Sequence, residues 1–384
     1  MNKSGCRYWV LLLAFAATSS EAVTYTTTGF ASLVAGKVTS GTPGTAGSVD
    51  PGIDGGTCPC AVGNWADVGI YNRSLNLKPE SRAGIQENIN FDSGLSFVGE
   101  LTARAVPNTY GDVVPDWLYA GYAITPSWTV QMGRKRLPLF MYSDYIDIGY
   151  DYPWMRPPGD LYSWQIDHYN GANLLYNNTI ADIAFTWNTW VGGEHDRNNE
   201  ELKRLYYDAP ANNYGSGITI DENWYNMLGT YLDFSKDWWD VRLIYMQNQV
   251  SRTQAGNPAY VLDSSNHQKF KGISVNFDPG NLVVRTEFNE FLRPTNQDYY
   301  HTSLMSMGYR IGNWLPLLTY SEFHEDFLTN PGSAESHFTR TATIRWDFRR
   351  GMDMKIQYDQ LVDHSHWPFI GSTKLITVGL DAVF

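Results

Sequence analysis

The sequence contains no uninterrupted apolar stretch of 18 or more residues, the length that a membrane-spanning helix requires. Its longest apolar run, residues 8–17, is too short to cross the ~30 Å hydrocarbon core of a bilayer. If this chain lies in a membrane, it must therefore do so as a closed β-barrel, because lipid cannot satisfy the unpaired backbone groups of an open sheet edge.

Recognisable catalytic motifs are also missing. The sequence has no nucleophile elbow, phosphate-binding loop, dinucleotide-binding glycine pattern or zinc-protease helix motif. Its net charge of −12 argues against nucleic-acid binding, which needs a basic surface. We therefore expect neither an enzyme with one of these motifs nor a nucleic-acid partner, and the sequence predicts no cofactor and no metal.

Cysteine is scarce, with three residues in the whole chain. Cys58 and Cys60 form a Cys-Pro-Cys motif within a glycine-rich stretch, and Cys6 lies near the N-terminus. In an oxidising compartment Cys58 and Cys60 could form a small loop disulfide. A metal clip or two free thiols are the alternatives, although the further Cys or His of a zinc site is missing.

Residues 1–22 have the pattern of a secretory signal peptide. Lys3 and Arg7 give a basic start, an apolar run follows, and Ser20-Glu21-Ala22 is a small-x-small cleavage site. We therefore expect an exported protein in which residues 23–384 form a single domain.

The mature sequence alternates between apolar and polar residues in many short runs, the period of a half-buried β-strand. Seven short polar turns alternate with eight longer connections, which predicts about 16 strands. A soluble sandwich would show the same alternation, but Trp and Tyr cluster near the predicted strand ends, as they do at membrane interfaces. The sequence therefore predicts an all-β, antiparallel transmembrane barrel, wide enough for an aqueous channel.

The last strand ends on an aromatic residue. Ile376, Val378, Leu380 and Phe384 share one face of this strand. The pattern resembles the C-terminal strand of Gram-negative outer-membrane barrels, which closes the ring against the first strand. The resemblance implies that Phe384 marks barrel closure and contacts the barrel-assembly machinery.

The whole mature chain resembles the 16-stranded Gram-negative porins. The opening strand Gly29-Phe30-Ala31-Ser32-Leu33-Val34-Ala35-Gly36-Lys37 and the run Gly133-Arg134-Lys135-Arg136-Leu137-Pro138-Leu139 carry the likeness. The resemblance implies a homotrimer in the bacterial outer membrane, in contact with lipid and lipopolysaccharide. It also implies that the third long loop, residues 137–163, folds into the barrel and narrows the pore.

The third long loop is rich in aromatic and acidic residues, and such apolar side chains need a wall to pack on. By resemblance, loop carboxylates face basic side chains across the pore and set a transverse field. The acidic side would be Asp144, Asp147 and Asp151. The basic wall would be Lys78, Arg82, Arg104 and Arg134.

The leading hypothesis is a porin for passive diffusion of small hydrophilic solutes and ions, mildly selective for cations because the chain is acidic. A second hypothesis is a substrate-selective channel for sugars or organic acids, with Tyr142, Tyr145 and Trp154 as stacking surfaces. An outer-membrane enzyme and a non-conducting interaction protein are further alternatives.

Overall fold

The computed structural model describes residues 22–42, 59–64, 69–108, 111–164, 166–199, 220–365 and 371–384. Sixteen antiparallel strands form a closed barrel in which each strand pairs with its neighbours along the chain. The predicted fold class and the number of strands are confirmed. The predicted signal peptide, apart from Ala22, lies outside the described residues.

The barrel strands are joined by connections of very different length, and the first long connection adds a separate sheet of two short strands. No helix among the described residues is long and apolar enough to span a membrane. Single 3₁₀ turns lie at Ser143–Tyr145, Gly149–Asp151 and Pro331–Ser333. The strands are β1 (Val23–Gly41), β2 (Ala61–Asn64), β3 (Gly69–Tyr71), β4 (Arg82–Phe91), β5 (Leu95–Asn108), β6 (Gly111–Ala123), β7 (Trp128–Arg136), β8 (His168–Ile180), β9 (Ile183–Asp196), β10 (Ile220–Lys236), β11 (Trp239–Gln254), β12 (Asn257–Phe277), β13 (Leu282–Arg293), β14 (Asp298–Tyr309), β15 (Trp314–Phe327), β16 (Ser336–Arg349), β17 (Met352–Asp363) and β18 (Thr373–Val383).

The barrel closes where β18 pairs with β1. Just beyond β18, the backbone N–H of Phe384 donates to the carbonyl of Gly29 at 2.9 Å. The backbone N–H of Gly29 donates to the carbonyl of Phe384 at 2.7 Å. The Phe384 ring lies against Gly29, where an added Cβ would come within 2.5 Å of it. The last residue thus completes the ladder between the first and last strands.

Burial alternates along the strands with the apolar side chains outside. In β18, Thr377 and Asp381 are buried, whereas Ile376, Val378 and Leu380 are exposed. A soluble sandwich would bury the apolar face instead. The reversed alternation is the pattern of a barrel with an apolar outer surface and a polar interior.

Two of the long loops that the sequence predicts, residues 106–115 and 251–268, are wrong. In the first, β5 continues to Asn108 and β6 begins at Gly111. In the second, β11 continues to Gln254 and β12 begins at Asn257. Gly256, with φ at 75°, adopts the left-handed conformation of the turn between them. The hairpin escapes sequence analysis because its residues are mostly polar and lack the apolar face that marks the other strands.

Candidate functional site

The candidate site is built on the connection between β7 and β8, the predicted third long loop. We call the described residues between Arg136 and His168 the β7–β8 segment. Its polar groups bond to buried or half-buried residues of several strands and of the connection before β4. The hydrogen bonds include Tyr142 Oη to Asn276 Oδ1 (2.8 Å), Tyr162 Oη to Glu287 Oε2 (2.8 Å), Trp154 Nε1 to Thr319 Oγ1 (2.8 Å), the Met155 N–H to Gln357 Oε1 (2.8 Å) and Arg156 Nη2 to the Glu80 carbonyl (2.7 Å).

Asp147 forms the centre of a charge cluster at one side of this segment. Its buried carboxylate forms ion pairs with the guanidinium groups of Arg82, Arg104 and Arg136, and the Arg104 pair measures 2.9 Å. Arg82 begins β4 and lies directly opposite Arg104 in β5, so the strand register places both guanidinium groups side by side. Arg136 ends β7, where the chain turns into the segment.

A second carboxylate supports the same arginines. Asp116 of β6 lies 2.9 Å from Arg104 Nη2 and 3.1 Å from Arg136 Nη2. His168, the first residue of β8, places its Nε2 at 3.0 Å from the same carboxylate. We call Asp147, Asp116 and the three arginines the Asp147 cluster. A cavity of about 60 Å³ borders this cluster, enough for roughly two water molecules.

The surroundings of Asp147 keep its side chain ionised. Burial on its own raises the pKa of this carboxyl group, but the charges of Arg104, Arg136 and Arg82 outweigh burial and hold the pKa below its usual value. The segment therefore presents a fixed negative charge to the wall formed by β4 and β5 at any pH near neutrality.

The other predicted charges lie apart from the Asp147 cluster. Arg134 binds both carboxylate oxygens of Glu194 in β9 at 3.0 Å. Lys78 is exposed in the connection before β4. Asp144 is half-buried and Asp151 is exposed. The structure thus brings together Asp147, Arg82 and Arg104 from the predicted set.

The predicted stacking aromatics pack mainly on one another. Tyr142 and Trp154 are buried, and their rings meet edge to face with centroids 5.4 Å apart. Tyr145 is half-buried and lies 5.8 Å from the Tyr142 ring. Farther along the segment, Trp164 stacks on Phe291 of β13 at 4.0 Å. These rings serve chiefly to attach the segment to the barrel wall.

Sequence reasoning missed Arg136 and Asp116. Along β7 the exposed Met132 shares its parity with Arg136, so alternation alone points this arginine outward. Arg136, the last residue of β7, instead turns its guanidinium group to Asp147 and Asp116. The pairing of β5 with β6 skips Asp116, which makes it a β-bulge residue, and bulges re-aim side chains in a way that periodicity cannot predict.

Of the two cysteines in the predicted disulfide, the described residues include Cys60. Cys60 is disulfide-bonded and buried beside the β2–β3 sheet. Cys58 lies outside the described residues, so its pairing with Cys60 stays a prediction.

No protein-family model and no curated protein sequence matches the chain. Solved structures match it in fold. The outer membrane channel DcaP of Acinetobacter baumannii aligns with a TM-score of 0.60 and 10% identity over 94% of this chain and 97% of that one. An anion-selective porin from Comamonas acidovorans aligns at 0.56 and 10% over 94% and 100%. OmpT of Vibrio cholerae, folded in vitro in its trimer form, aligns at 0.53 and 11% over 94% and 100%.

At these identities the likeness establishes the fold. The chain has the porin-like architecture of a closed barrel of 16 antiparallel strands.

Proposed function

We propose that this protein is a porin that forms a water-filled channel in a bacterial outer membrane. Small hydrophilic solutes and ions would diffuse through it down their gradients, and no covalent chemistry would take place. The barrel supports this proposal because 16 strands enclose an aqueous interior once the apolar faces point outward. The structures it resembles include an outer membrane channel and a porin.

The single observation that carries the proposal is the attachment of the β7–β8 segment. Its side chains bond to inward-facing residues from β4 and β5 around to β17, which supports a path of the segment through the barrel interior. A segment in that position would narrow the channel. We infer that it forms the constriction that limits solute size.

The charges at this constriction support a transverse field. Asp147 is in direct contact with Arg82 and Arg104, so these charges largely offset one another, and the field would come mainly from Asp144 and Asp151, the less buried carboxylates of the same segment. Opposite charges across a narrow aqueous gap order water and polar solutes and disfavour apolar ones. Arg134 contributes less to this field, since it is paired with Glu194.

The proposal also covers the ion selectivity of the channel and its oligomeric state. A net charge of −12 supports a mild preference for cations, and the three guanidinium groups of the Asp147 cluster are matched by three carboxylates, those of Asp147, Asp116 and Asp167. The burial of Tyr142 and Trp154 favours general diffusion over recognition by aromatic stacking. The trimer form of OmpT supports a homotrimer. We further propose export by a cleaved signal peptide and contacts with lipid and lipopolysaccharide.

The decisive experiment is single-channel recording of the folded protein in a planar bilayer, under a salt gradient. We expect stepwise openings, in groups of three for a trimer. We also expect a reversal potential whose sign shows that cations pass more readily than anions. Asp147→Asn should change the conductance, because it alters the charge nearest the constriction. An absence of conductance from protein that shows the heat-modifiable mobility of a folded barrel would refute the channel.

A further inference from the structure

Two apolar side chains lie on the inner face of the barrel wall, near the end from which the first long connection leaves. Val38 of β1 and Leu375 of β18 are paired in the register of these strands. Leu375 shares its face with the buried Thr377 and Asp381, whereas the neighbouring Ile376 is exposed on the outer face. Val38 and Leu375 are nevertheless only 0% and 6% exposed. Apolar side chains are stabilised by removal from water, so this pair indicates that another part of the chain covers the aqueous side of the wall here.

The β2–β3 sheet supplies this cover. Tyr71 of β3 and Ala61 of β2 form one buried cluster with the two wall residues. The Tyr71 ring has glycines on two sides, Gly36 of β1 and Gly63 of β2. An added Cβ would lie 2.6 Å from the ring at Gly36 and 2.7 Å from it at Gly63. Glycine in a strand often marks a place where another group comes this close to the backbone, so the wall and β2 are both shaped around the ring.

The β7–β8 segment meets the inner face of the wall by the same kind of contact. Phe140 packs edge to face on Phe270 of β12 at 5.4 Å, and Trp164 stacks on Phe291 of β13 at 4.0 Å. Both wall residues are 1% exposed and belong to the large apolar cluster beneath the segment. The first and third long connections therefore each cover an apolar patch on the inner face, and the patch beneath the β2–β3 sheet is the smaller one.

Hydrogen bonds join the β2–β3 sheet to the β7–β8 segment through Glu80. Tyr71 Oη donates to Glu80 Oε2 at 2.7 Å, and Arg156 Nη2 of the segment donates to the Glu80 carbonyl at 2.7 Å. All three residues are buried. A cavity of about 80 Å³ beside β16, β17 and β18 is lined by both elements, with Gly63 from the sheet and Trp154 from the segment. The two elements therefore meet within the barrel wall.

We propose that the β2–β3 sheet is a second element folded into the barrel, which together with the β7–β8 segment limits the size of the solutes that pass. Tyr71 is the positioning residue that attaches the sheet to the wall and, through Glu80, to the segment. The size limit rests on the proposed channel function. The position of the sheet does not depend on that function and can be tested without conductance.

Labelling of a cysteine beneath the sheet tests its position. In folded protein the thiol of Leu375→Cys should react slowly with a membrane-impermeant maleimide, since Leu375 is almost fully covered. Adding Tyr71→Ala should speed this reaction several-fold, because it removes the ring from the cluster around Leu375. The unaltered protein gives the background labelling. Rapid labelling of Leu375→Cys alone, or an equally slow reaction after Tyr71→Ala is added, would overturn the proposal.

Single-channel conductance in the presence of polyethylene glycols of graded size tests the size limit. Tyr71→Ala should raise the conductance and admit larger polymers than the unaltered protein does. Tyr71→Phe keeps the ring and loses the hydrogen bond to Glu80, so its effect should be smaller and in the same direction. Tyr71 lies outside the 16 barrel strands, so both variants should keep the heat-modifiable mobility of the folded barrel.

Tyr122→Ala is the matched control, because Tyr122 is 51% exposed on β6 and should leave the conductance and the polymer limit unchanged. If the unaltered protein conducts and Tyr71→Ala has the same conductance and polymer limit, the β2–β3 sheet does not limit the channel, and the proposed channel function still stands. If the unaltered protein folds but does not conduct, the channel function itself fails and the size limit fails with it.

Discussion

Two parts of the β7–β8 segment are held to the barrel by different forces. Around Asp147 the contact is ionic, with three buried guanidinium groups on one carboxylate. Around Trp154 and Trp164 the contact is aromatic, with buried rings that pack on the far strands and an indole N–H that bonds to Thr319. The ring contacts and the indole hydrogen bond do not depend on the protonation of a carboxylate, whereas the Asp147 contact does. The comparison suggests that acid would loosen the Asp147 contact and leave the ring contacts of Trp154 and Trp164 in place.

The largest expected effect comes from removing the aromatic attachment. Trp154→Ala would leave a cavity and remove the indole N–H that donates to Ser306 and Thr319, and should cost about 3–5 kcal/mol of stability. The midpoint temperature of the heat-modifiable mobility shift measures this loss. Trp238→Ala is the control, because Trp238 is 45% exposed and should lower the midpoint far less. Equal midpoints for the two variants would show that Trp154 does not anchor the segment.

We expect the ionic attachment to contribute less to the midpoint temperature than the aromatic attachment does. Asp147→Asn removes the charge that the three arginines share, but Asp116 remains as a partner for Arg104 and Arg136. We therefore expect a loss of about 2–3 kcal/mol, the range of one or two hydrogen bonds to charged groups. A loss larger than that of Trp154→Ala would reverse the ranking of the two attachments.

Acid should separate the two attachments without any mutation. The folded-state pKa of Asp147 lies below the usual value, so its stabilising effect is complete above the unfolded pKa of about 3.9. That effect is lost as the pH falls through the lower, folded-state pKa. The contribution of Asp147 to the midpoint temperature should therefore stay constant between pH 7 and 5 and should fall below about pH 3.9.

In the same pH series the difference in midpoint temperature between Asp147→Asn and the unaltered protein should become smaller at low pH. The difference between Trp154→Ala and the unaltered protein should stay the same. If the difference in midpoint temperature for Asp147→Asn stays constant down to pH 2, the carboxylate of Asp147 is not the acid-sensitive contact.

The smallest expected effect is that of Asp151→Asn. Asp151 is exposed on the same segment, so its replacement should change stability by no more than about 0.5 kcal/mol. Under the proposed function it should shift the reversal potential slightly toward anions, since one negative charge near the constriction is lost. A shift as large as that of Asp147→Asn would place Asp151 closer to the narrowest point than its exposure suggests.

The sequence was sufficient for the barrel and for part of the site. Alternation along each strand identified the outward faces, and it also pointed Arg82 and Arg104 inward, where they meet Asp147. It could not identify Asp116, because a bulge interrupts the pairing there. The hairpin between β11 and β12 was missed for a related reason, since it has no apolar face to mark its strands.

The sequence by itself determined the class of fold. Lipid requires apolar side chains on the outer face of a barrel and the aqueous interior favours polar ones, so apolar and polar residues alternate along each strand. What only the tertiary structure decided was which charges meet. Asp147 lies 43 residues from Arg104 and 65 residues from Arg82 along the chain, and they meet through strand register and the path of the β7–β8 segment, which no local pattern encodes.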